Sequence, residues 1–431
     1  MKFRQVILQA ALALSVSSTA SAQSILVSTV DSAPAGRAPE GGFNYAEING
    51  ASSMYGNGRH EAAYFTMGNY IAQDGIGGYA IVLDPQIRYA YKTGSTWTRQ
   101  TVDPDGRGPT VVYNEPGFRN VFYRRNVTMI PFNTRTAVWQ AYQAIGSNTW
   151  VRVHVDGGKL NPGASMNNVS SAMHAVHYDG GAHVFYIEEG TTVLRHAWWD
   201  GYLNSWNYEI LDGDGGANGR IDTNFGTRTE ALMAVVDGIQ LHVVYVDASN
   251  GDLRHALWTG AGWIFETIAG AQRNFSGPLS AVMFQGQLHV FAYDADSADL
   301  VHVSKVQGAW AEVVVDGDGA LHGSSSNTWA TTDHVAGSSV SAIVHENRLH
   351  AFYNATHPDS RPYLRHVEIL NGLISYRDLE LTNANQQWLW SISTYVDGQN
   401  NLGATYVRGS PTLGEGVENA LHCPSTPPCA F

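Results

Sequence analysis

Four side chains in the first third of the sequence are of types that carry acid–base chemistry. They are His60, Tyr64, Arg119 and Tyr123. A histidine or tyrosine can act as base or acid and an arginine can neutralise a carboxylate, so this set fits elimination or hydrolysis of a polysaccharide. Five further residues outside the repeat described below are predicted to bind the substrate: Glu61, Trp329, His334, Trp388 and Trp390.

Signatures of other catalytic classes are missing from the sequence. It has no motif of a nucleophilic serine, a zinc protease or a phosphate loop, and no Asp-box repeat of the sialidase type. We therefore predict no metal and no cofactor. Cyclisation of a small organic molecule also stays open, because it needs only a shaped aromatic pocket that holds the substrate in a reactive conformation.

Histidines are numerous, with 17 in the chain, but eight of them recur at two fixed places of a repeat. A residue repeated at the same place usually has the same packing role, so we predict that these histidines are packed and hydrogen-bonded within the repeats. The tryptophans at a third recurring place are predicted to be wedges between neighbouring repeats. The histidines are His183, His242, His289 and His350, then His196, His255, His302 and His366; the tryptophans are Trp97, Trp150, Trp206, Trp263 and Trp310.

The repeat that must position these residues is clearest over residues 224–270. It holds four β-rich runs separated by Gly- and Asn-containing turns, with no helical period. We count seven copies, the first two degraded, and the seventh lacks a fourth strand that residues 24–30 can supply. This pattern predicts an all-β, seven-bladed β-propeller over residues 23–431, with four-stranded blades and the N-terminal strand closing the last blade.

The predicted loops are not alike. Residues 55–61 and 113–119 have no evident counterpart in the other copies. Such asymmetry favours one site where loops converge at the central channel. We therefore expect an enzyme that acts there on a small organic molecule, and keep as alternatives a carbohydrate-binding protein and a polysaccharide lyase or glycoside hydrolase.

Residues 1–22 are typical of a signal peptide, with a basic start, a short apolar run and Ala20-Ser21-Ala22 before the cleavage point. We predict a secreted protein, or a periplasmic one in a bacterium, without a membrane span. An oxidising compartment favours a disulfide between Cys423 and Cys429. Four sequons are predicted glycosylation sites in a eukaryotic host: Asn126, Asn168, Asn274 and Asn354.

The formal net charge of the chain is −13, from 25 basic and 38 acidic residues, and there is no run of Lys or Arg. This balance argues against nucleic acid as a partner. The expected partner is a small molecule or a glycan, and the oligomeric state stays open.

The runs Leu241-His-Val-Val-Tyr245 and Asp252-Leu-Arg-His-Ala-Leu-Trp258 resemble the blades of fucose-specific propeller lectins. The resemblance implies a sugar clamp of one Arg on the second strand and one Glu on the third. Histidines occupy both places here, and the aromatic places hold only Trp199 and Trp258, so repeated fucose binding is not expected. The chain is also similar in type to the fungal hetero-Diels–Alder cyclases among lectin-like propellers, which implies a natural-product cyclase.

Overall fold

The computed structural model describes residues 25–32, 47–56, 59–73, 79–93, 96–115, 117–129, 133–158, 161–189, 191, 193–213, 231–247, 250–270, 273–317, 335–356, 362–370, 372–381, 388–397, 400–410 and 414–422. These residues form 28 β-strands and no helix. No helix long and apolar enough to cross a membrane is therefore found within these ranges.

The first half of the strands, in chain order, are β1 Ile25–Ser32, β2 Glu47–Gly56, β3 Arg59–Gln73, β4 Tyr79–Thr93, β5 Thr96–Asp103, β6 Gly106–Glu115, β7 Phe118–Met129, β8 Asn133–Ala144, β9 Val151–Asp156, β10 Asn168–Tyr178, β11 Gly181–Glu189, β12 Val193–Asp200, β13 Ser205–Gly213 and β14 Leu232–Asp237. The second half are β15 Gln240–Asp247, β16 Asp252–Trp258, β17 Trp263–Ala269, β18 Phe275–Phe284, β19 Gln287–Asp294, β20 Asp299–Val306, β21 Ala309–Asp316, β22 Val335–His345, β23 Arg348–Thr356, β24 Pro362–Leu370, β25 Leu373–Leu381, β26 Trp388–Val396, β27 Leu402–Ser410 and β28 Gly414–His422.

The described strands group into four-stranded antiparallel sheets. Sheet 1 is β2–β5, and the following groups of four strands are sheets 2 to 6, ending with β22–β25. Sheet 7 holds β26, β27 and β28, with β1 paired to β28 at its edge. The first strand of each sheet contacts the first strand of the next, and β26 contacts β2. Four-stranded sheets around a closed ring are the blades of a β-propeller, so the predicted all-β propeller is confirmed, and so is the N-terminal strand in the last sheet.

A tight turn connects the first two strands of sheet 3. Between β10 and β11, Asp179 and Gly180 have φ angles of 47° and 80°. Two successive residues with positive φ form the hairpin turn whose twist matches that of the flanking strands, and glycine adopts such an angle without steric cost. This turn places its two residues at the edge of the pocket described below.

The hydrophobic core lies between neighbouring sheets. Phe185 and Ile187 of sheet 3, for example, belong to the same buried cluster as Leu232 and Val243 of sheet 4. Because each sheet is covered on both faces, most side chains of the second strands are buried, as the nearly continuous burial of β11 and β15 shows. Adjacent sheets therefore meet in extended interfaces, and these interfaces position the candidate site.

A recurring polar contact joins the sheets at one end. A buried second-strand tyrosine donates a hydrogen bond to an aspartate that ends the fourth strand of the preceding sheet, and an arginine pairs with the same aspartate. We call this contact the Tyr–Asp–Arg clamp. Its members are Tyr123, Asp103 and Arg125; Tyr186, Asp156 and Arg195; Tyr245, Asp212 and Arg254; Tyr353, Asp316 and Arg365.

The interface between sheets 4 and 5 lacks the clamp. Ala269 stands where the aspartate would end β17, Ala292 lies at the tyrosine place, and Val301 lies at the arginine place. All three members are replaced together. A buried aspartate without its partners would carry an uncompensated desolvation cost, which explains why none of the three remains alone.

Candidate functional site

His60 lies inside the interface between sheets 1 and 7. It is 5% exposed, and its ring stacks on Tyr395 at a centroid distance of 3.8 Å. Its Nε2 lies 3.2 Å from Oγ1 of Thr405. Burial, with a smaller contribution from Lys92, lowers the pKa of His60 to about 3. A histidine that stays neutral and packed in this way has the environment of a core residue.

Glu61 and Arg119 meet across sheets 1 and 2. The Arg119 Nε lies 3.1 Å from Glu61 Oε1, and Arg119 Nη1 donates to Gln143 Oε1 at 3.1 Å. Glu61 is fully buried and Arg119 is 6% exposed. The structure thus brings two of the predicted residues together, but as a buried ion pair.

Tyr64 and Tyr123 correct the prediction that these residues lie outside the repeat. Both occupy the recurring second-strand tyrosine place, three residues beyond Glu61 and Asn120, and both are fully buried. Tyr123 donates a 2.7 Å hydrogen bond to Asp103. Burial, aided by this carboxylate, raises the pKa of Tyr123 well above its usual value. The sequence comparison missed this because the residues around the two tyrosines differ from those of the later sheets.

Residues 55–61 and 113–119 also have counterparts. Each spans the hairpin between the first and second strands of its sheet, as the turn at Asp179–Gly180 does in sheet 3. What does differ is the length of the next hairpin, since β3 and β4 each extend over 15 residues. The asymmetry of the first two sheets is thus real, but it lies on different loops from those predicted.

Six of the predicted residues have side chains outside the described part of the structure. Trp329, His334, Cys423 and Cys429 lie outside the described residues, and the side chains of Trp388 and Trp390 on β26 do too. The predicted channel site and the disulfide therefore stay predictions.

The four sequons differ in accessibility. Asn126 and Asn274 are exposed, and Asn168 is half-buried. Asn354 is only 2% exposed, and its Oδ1 accepts a hydrogen bond from the backbone N–H of Ser339 at 3.0 Å. A glycan on Asn354 would have to displace this packing, and glycosylation of the four sequons stays a prediction.

The recurring histidines form four pairs, one in each of sheets 3 to 6. In each pair the second-strand Nδ1 lies 2.9–3.0 Å from the third-strand Nε2, and the rings stack at about 5 Å: His183 with His196, His242 with His255, His289 with His302, and His350 with His366. The predicted packing of these histidines within the repeats is confirmed.

In sheet 3 the pair continues to a carboxylate. His196 Nδ1 lies 2.8 Å from Glu209 Oε1, and Trp263 Nε1 of sheet 4 donates to the same oxygen at 3.0 Å. Burial opposes the charge of Glu209, but the hydrogen bonds from His196 and Trp263 lower its pKa. A carboxylate here fixes the order of donors, so that neutral His183 donates to His196 and His196 donates to Glu209.

These residues line a pocket of about 580 Å³ between sheets 3 and 4, which we call the 3/4 pocket. Its two histidines are His183 and His196, and its carboxylates are Glu209, Asp179 and Asp200. Six aromatic side chains form its walls: Tyr178, Trp198, Trp199, Tyr202, Trp258 and Trp263. No Lys or Arg is among the described residues that line it.

Ring contacts and a hydrogen bond between the two sheets fix the walls of the 3/4 pocket. Trp198 stacks on His196 at 4.9 Å, and Trp263 meets the same ring edge-on at 5.8 Å. Tyr178 donates from its hydroxyl to the carbonyl of Ile239 in sheet 4 at 2.6 Å. A pocket held by contacts from both sheets keeps its shape without a ligand, which lowers the entropic cost of binding.

An equivalent pocket of about 750 Å³ lies between sheets 2 and 3. Trp199 and Trp206 take the places of Trp258 and Trp263. Its polar groups are different, because Gln140 Nε2 donates to Asn120 Oδ1 at 2.7 Å where sheet 3 has its histidine pair. Val153 replaces Glu209. This pocket therefore has the aromatic walls of the 3/4 pocket without its carboxylate.

Sequence reasoning missed Trp198, Glu209 and Trp263 as site residues. Trp263 was interpreted only as a wedge between blades, and it is also a pocket wall. Glu209 pairs in register with His196, as Glu266 does with His255. A glutamate at this place in only two copies was the available signal, but it becomes visible only once the third and fourth strands are aligned.

No group of three His, Cys, Asp or Glu side chains that could hold a metal ion occurs within the described ranges. No protein-family model matches the sequence, and no curated protein matches it.

Several solved structures are similar to this chain. A mutant of AofleA from Arthrobotrys oligospora is 14% identical over 80% of this chain and 93% of its own, with a TM-score of 0.45. A mutant of the Aleuria aurantia lectin in complex with α-methyl-L-fucoside is 14% identical over 79% of this chain and 97% of its own, with a TM-score of 0.44. A protein of unknown function from Dyadobacter fermentans is 10% identical over 88% and 94%, with a TM-score of 0.47. The Aleuria lectin is described as six-bladed, whereas the described strands of this chain form seven sheets.

Proposed function

We propose that this chain is a glycan-binding propeller that holds its ligand in the 3/4 pocket. The observation that supports this proposal is the chain of hydrogen bonds from His183 through His196 to Glu209 inside a pocket with walls of tryptophan and tyrosine. Its volume of about 580 Å³ lies in the range of pockets that enclose small ligands.

A sugar fits this combination of groups. A pyranose has an apolar face of C–H groups and a rim of hydroxyls, so it needs a flat apolar wall beside fixed donors and acceptors. Trp258 and Trp263 each offer a flat indole ring for this purpose, with ring centroids 5.5 Å apart and the ring planes tilted by 54°. Glu209 is 37% exposed at its side chain and supplies a charged acceptor, which forms stronger hydrogen bonds than a neutral one.

The experiment is a glycan array followed by isothermal titration of the best ligand. Trp258→Ala should weaken binding at least about tenfold, because it removes a large aromatic contact. Lys305→Ala is the matched control, because Lys305 occupies the same register place in the next interface, and it should bind as wild type does. If no glycan bound, or if Trp258→Ala had no effect on the glycan that did, the proposal would be wrong.

A cyclase at the central channel stays a prediction from the sequence. Four of the residues predicted for the channel site, His60, Glu61, Arg119 and Tyr123, are buried and bonded to protein partners. The contacts of the 3/4 pocket favour binding over that chemistry.

We further infer that the seven described sheets are all the blades of the ring. Two observations support this inference: the first strands contact one another from sheet 1 through sheet 7 and back to sheet 1, and the internal stretches outside the described residues, such as 214–230 and 318–334, are short compared with a four-stranded sheet. An experimental structure with any other number of blades would contradict this inference.

We also propose that the protein is exported, on the strength of the leader-like residues 1–22. Amino-terminal sequencing of the protein recovered from the culture medium or periplasm should begin near Gln23. Retention of the leader in the recovered protein would contradict this proposal.

A further inference from the structure

The interface between sheets 4 and 5 contains an ammonium group of the chain itself. Lys305 lies three residues beyond His302 on β20, the register place that Trp258 occupies on β16 three residues beyond His255. Its Nζ lies 3.3 Å from Glu266 Oε1 and 4.8 Å from the centre of the Trp310 ring. A carboxylate and an indole face thus hold a primary ammonium between them.

The 3/4 pocket has the same two partners without the lysine. Glu209 corresponds to Glu266 and Trp263 to Trp310, since each pair occupies the same places on the fourth strands. His196 meets Trp263 edge-on at 5.8 Å, and His255 meets Trp310 edge-on at 6.0 Å. The neighbouring interface is therefore an internal template for what the 3/4 pocket can bind.

The charges of the 3/4 pocket fit a cation. Its charged lining groups are the carboxylates of Asp179, Asp200 and Glu209, and both hydrogen bonds that reach Glu209 end on Oε1. Within the described residues no hydrogen bond reaches Oε2, so this oxygen can accept one from a ligand. The net charge of −13 would also attract a cationic ligand over longer distances.

We propose that the ligand of the 3/4 pocket carries a primary ammonium group, which is held between the Glu209 carboxylate and the tryptophan walls. This inference rests on the proposed glycan-binding function and deepens it, since the ligand is then an amino sugar with a free amine. An ammonium in this position gains a charge-assisted hydrogen bond and a cation–π contact, as Lys305 does in the next interface.

The test compares two tetrasaccharides that differ only at nitrogen. A tetrasaccharide of β-1,4-linked glucosamine has free amines, and its fully N-acetylated counterpart has none. Isothermal titration of the full chain should show the free-amine form binding at least about tenfold more tightly, because a hydrogen bond to a charged group contributes most of that difference. Ethanolamine is the third probe, because it presents a primary ammonium without a sugar.

Matched variants locate the effect. Glu209→Gln should reduce the preference for the free-amine form about tenfold, whereas Glu266→Gln, at the equivalent place in the next interface, should leave it unchanged. Circular dichroism checks that both variants are folded, and the comparison of the two tetrasaccharides on the wild-type chain needs no variant.

The outcomes separate the two proposals. Equal binding of both tetrasaccharides would overturn the ammonium inference and leave the glycan proposal standing. Binding of ethanolamine without either tetrasaccharide would support the ammonium inference and count against a sugar ligand. Failure of all three probes would overturn the ammonium inference, and the glycan array would then decide the function by itself.

Discussion

The interface between sheets 3 and 4 and the interface between sheets 4 and 5 share the same arrangement of side chains but differ at one end in the groups that line them. Both contain a stacked histidine pair, a glutamate that bonds the second histidine, and a fourth-strand tryptophan. They differ where Trp258 of one corresponds to Lys305 of the other. The tryptophan leaves a pocket with an aromatic wall, and the lysine pairs with the carboxylate of its own chain. The exchange of Trp258 for Lys305 thus changes what lies beside the glutamate, from an aromatic wall to an ammonium group.

The two interfaces also differ at their opposite end. Tyr245, Asp212 and Arg254 form the Tyr–Asp–Arg clamp between sheets 3 and 4, whereas alanines and a valine replace all three between sheets 4 and 5. There Arg273 pairs instead with Asp294 and Glu312. Repeats of one chain can therefore exchange whole polar groups, provided that all members change together.

The largest effect should come from giving the 3/4 pocket the lysine of its neighbour. Trp258→Lys removes an aromatic wall and places an ammonium beside Glu209, so it should weaken ligand binding by about 100-fold or more in isothermal titration. Trp258→Phe, which keeps a ring, is the control and should lose far less. Similar affinities for the two variants would show that the lysine does not occlude the site.

The reverse exchange should create a second site. Lys305→Trp frees Glu266 and adds an aromatic wall between sheets 4 and 5, so the number of ligands bound per chain should rise from one toward two. The added site should be weaker, because Leu257 replaces the Trp198 wall. Titration measures this stoichiometry, and adding Glu266→Gln to the same variant should abolish the gain. An unchanged stoichiometry would mean that the lysine is not what distinguishes the interfaces.

Acid should lower the stability of the fold through the histidine pairs that both interfaces contain. Burial and the neighbouring histidine lower the pKa of His183 to about 3 and that of His242 to about 4. In the unfolded chain these histidines titrate near 6.5. Below that pH the histidines bind protons in the unfolded state but not in the folded state, so the free energy of unfolding should fall. The decrease should be about 2 kcal/mol at pH 5 for His183 alone.

Denaturant unfolding at pH 7 and pH 5 measures this loss. A double variant with His183→Asn and His196→Gln copies the Asn120–Gln140 pair of sheet 2, which has no titrating group. It should lose less stability in acid than the wild-type chain does. An equal loss in both proteins would show that this histidine pair does not stay neutral in the fold.

The smallest effect concerns the clamp. Tyr245→Phe removes the hydroxyl that donates to Asp212, but Arg254 and the Gly213 N–H still satisfy this carboxylate. The free energy of unfolding should therefore fall by only about 1 kcal/mol, with ligand binding unchanged. Tyr202→Phe is the control for stability, because Tyr202 is 96% exposed. Denaturation curves that coincide for all three proteins would show that the clamp adds no stability.

The sequence by itself determined the repeating strands and their closure. Alternating apolar runs and glycine turns at a constant spacing gave the four-stranded units, and residues 24–30 supplied the strand missing from the last copy. The recurrence of the histidines also predicted their packing, because a residue repeated in each unit meets the same local neighbours. These features depend on contacts within one sheet, which local sequence patterns encode.

Only the tertiary structure decided which residues form the candidate site. The walls of the 3/4 pocket come from two sheets, and Glu209 meets Trp263 across a separation of 54 residues. The same is true of Tyr64 and Tyr123, whose chemistry looked catalytic until the ring placed them in the core. Whether a polar side chain faces solvent, a partner or a ligand depends on what the adjacent sheet places opposite it, and no pattern within one repeat specifies that.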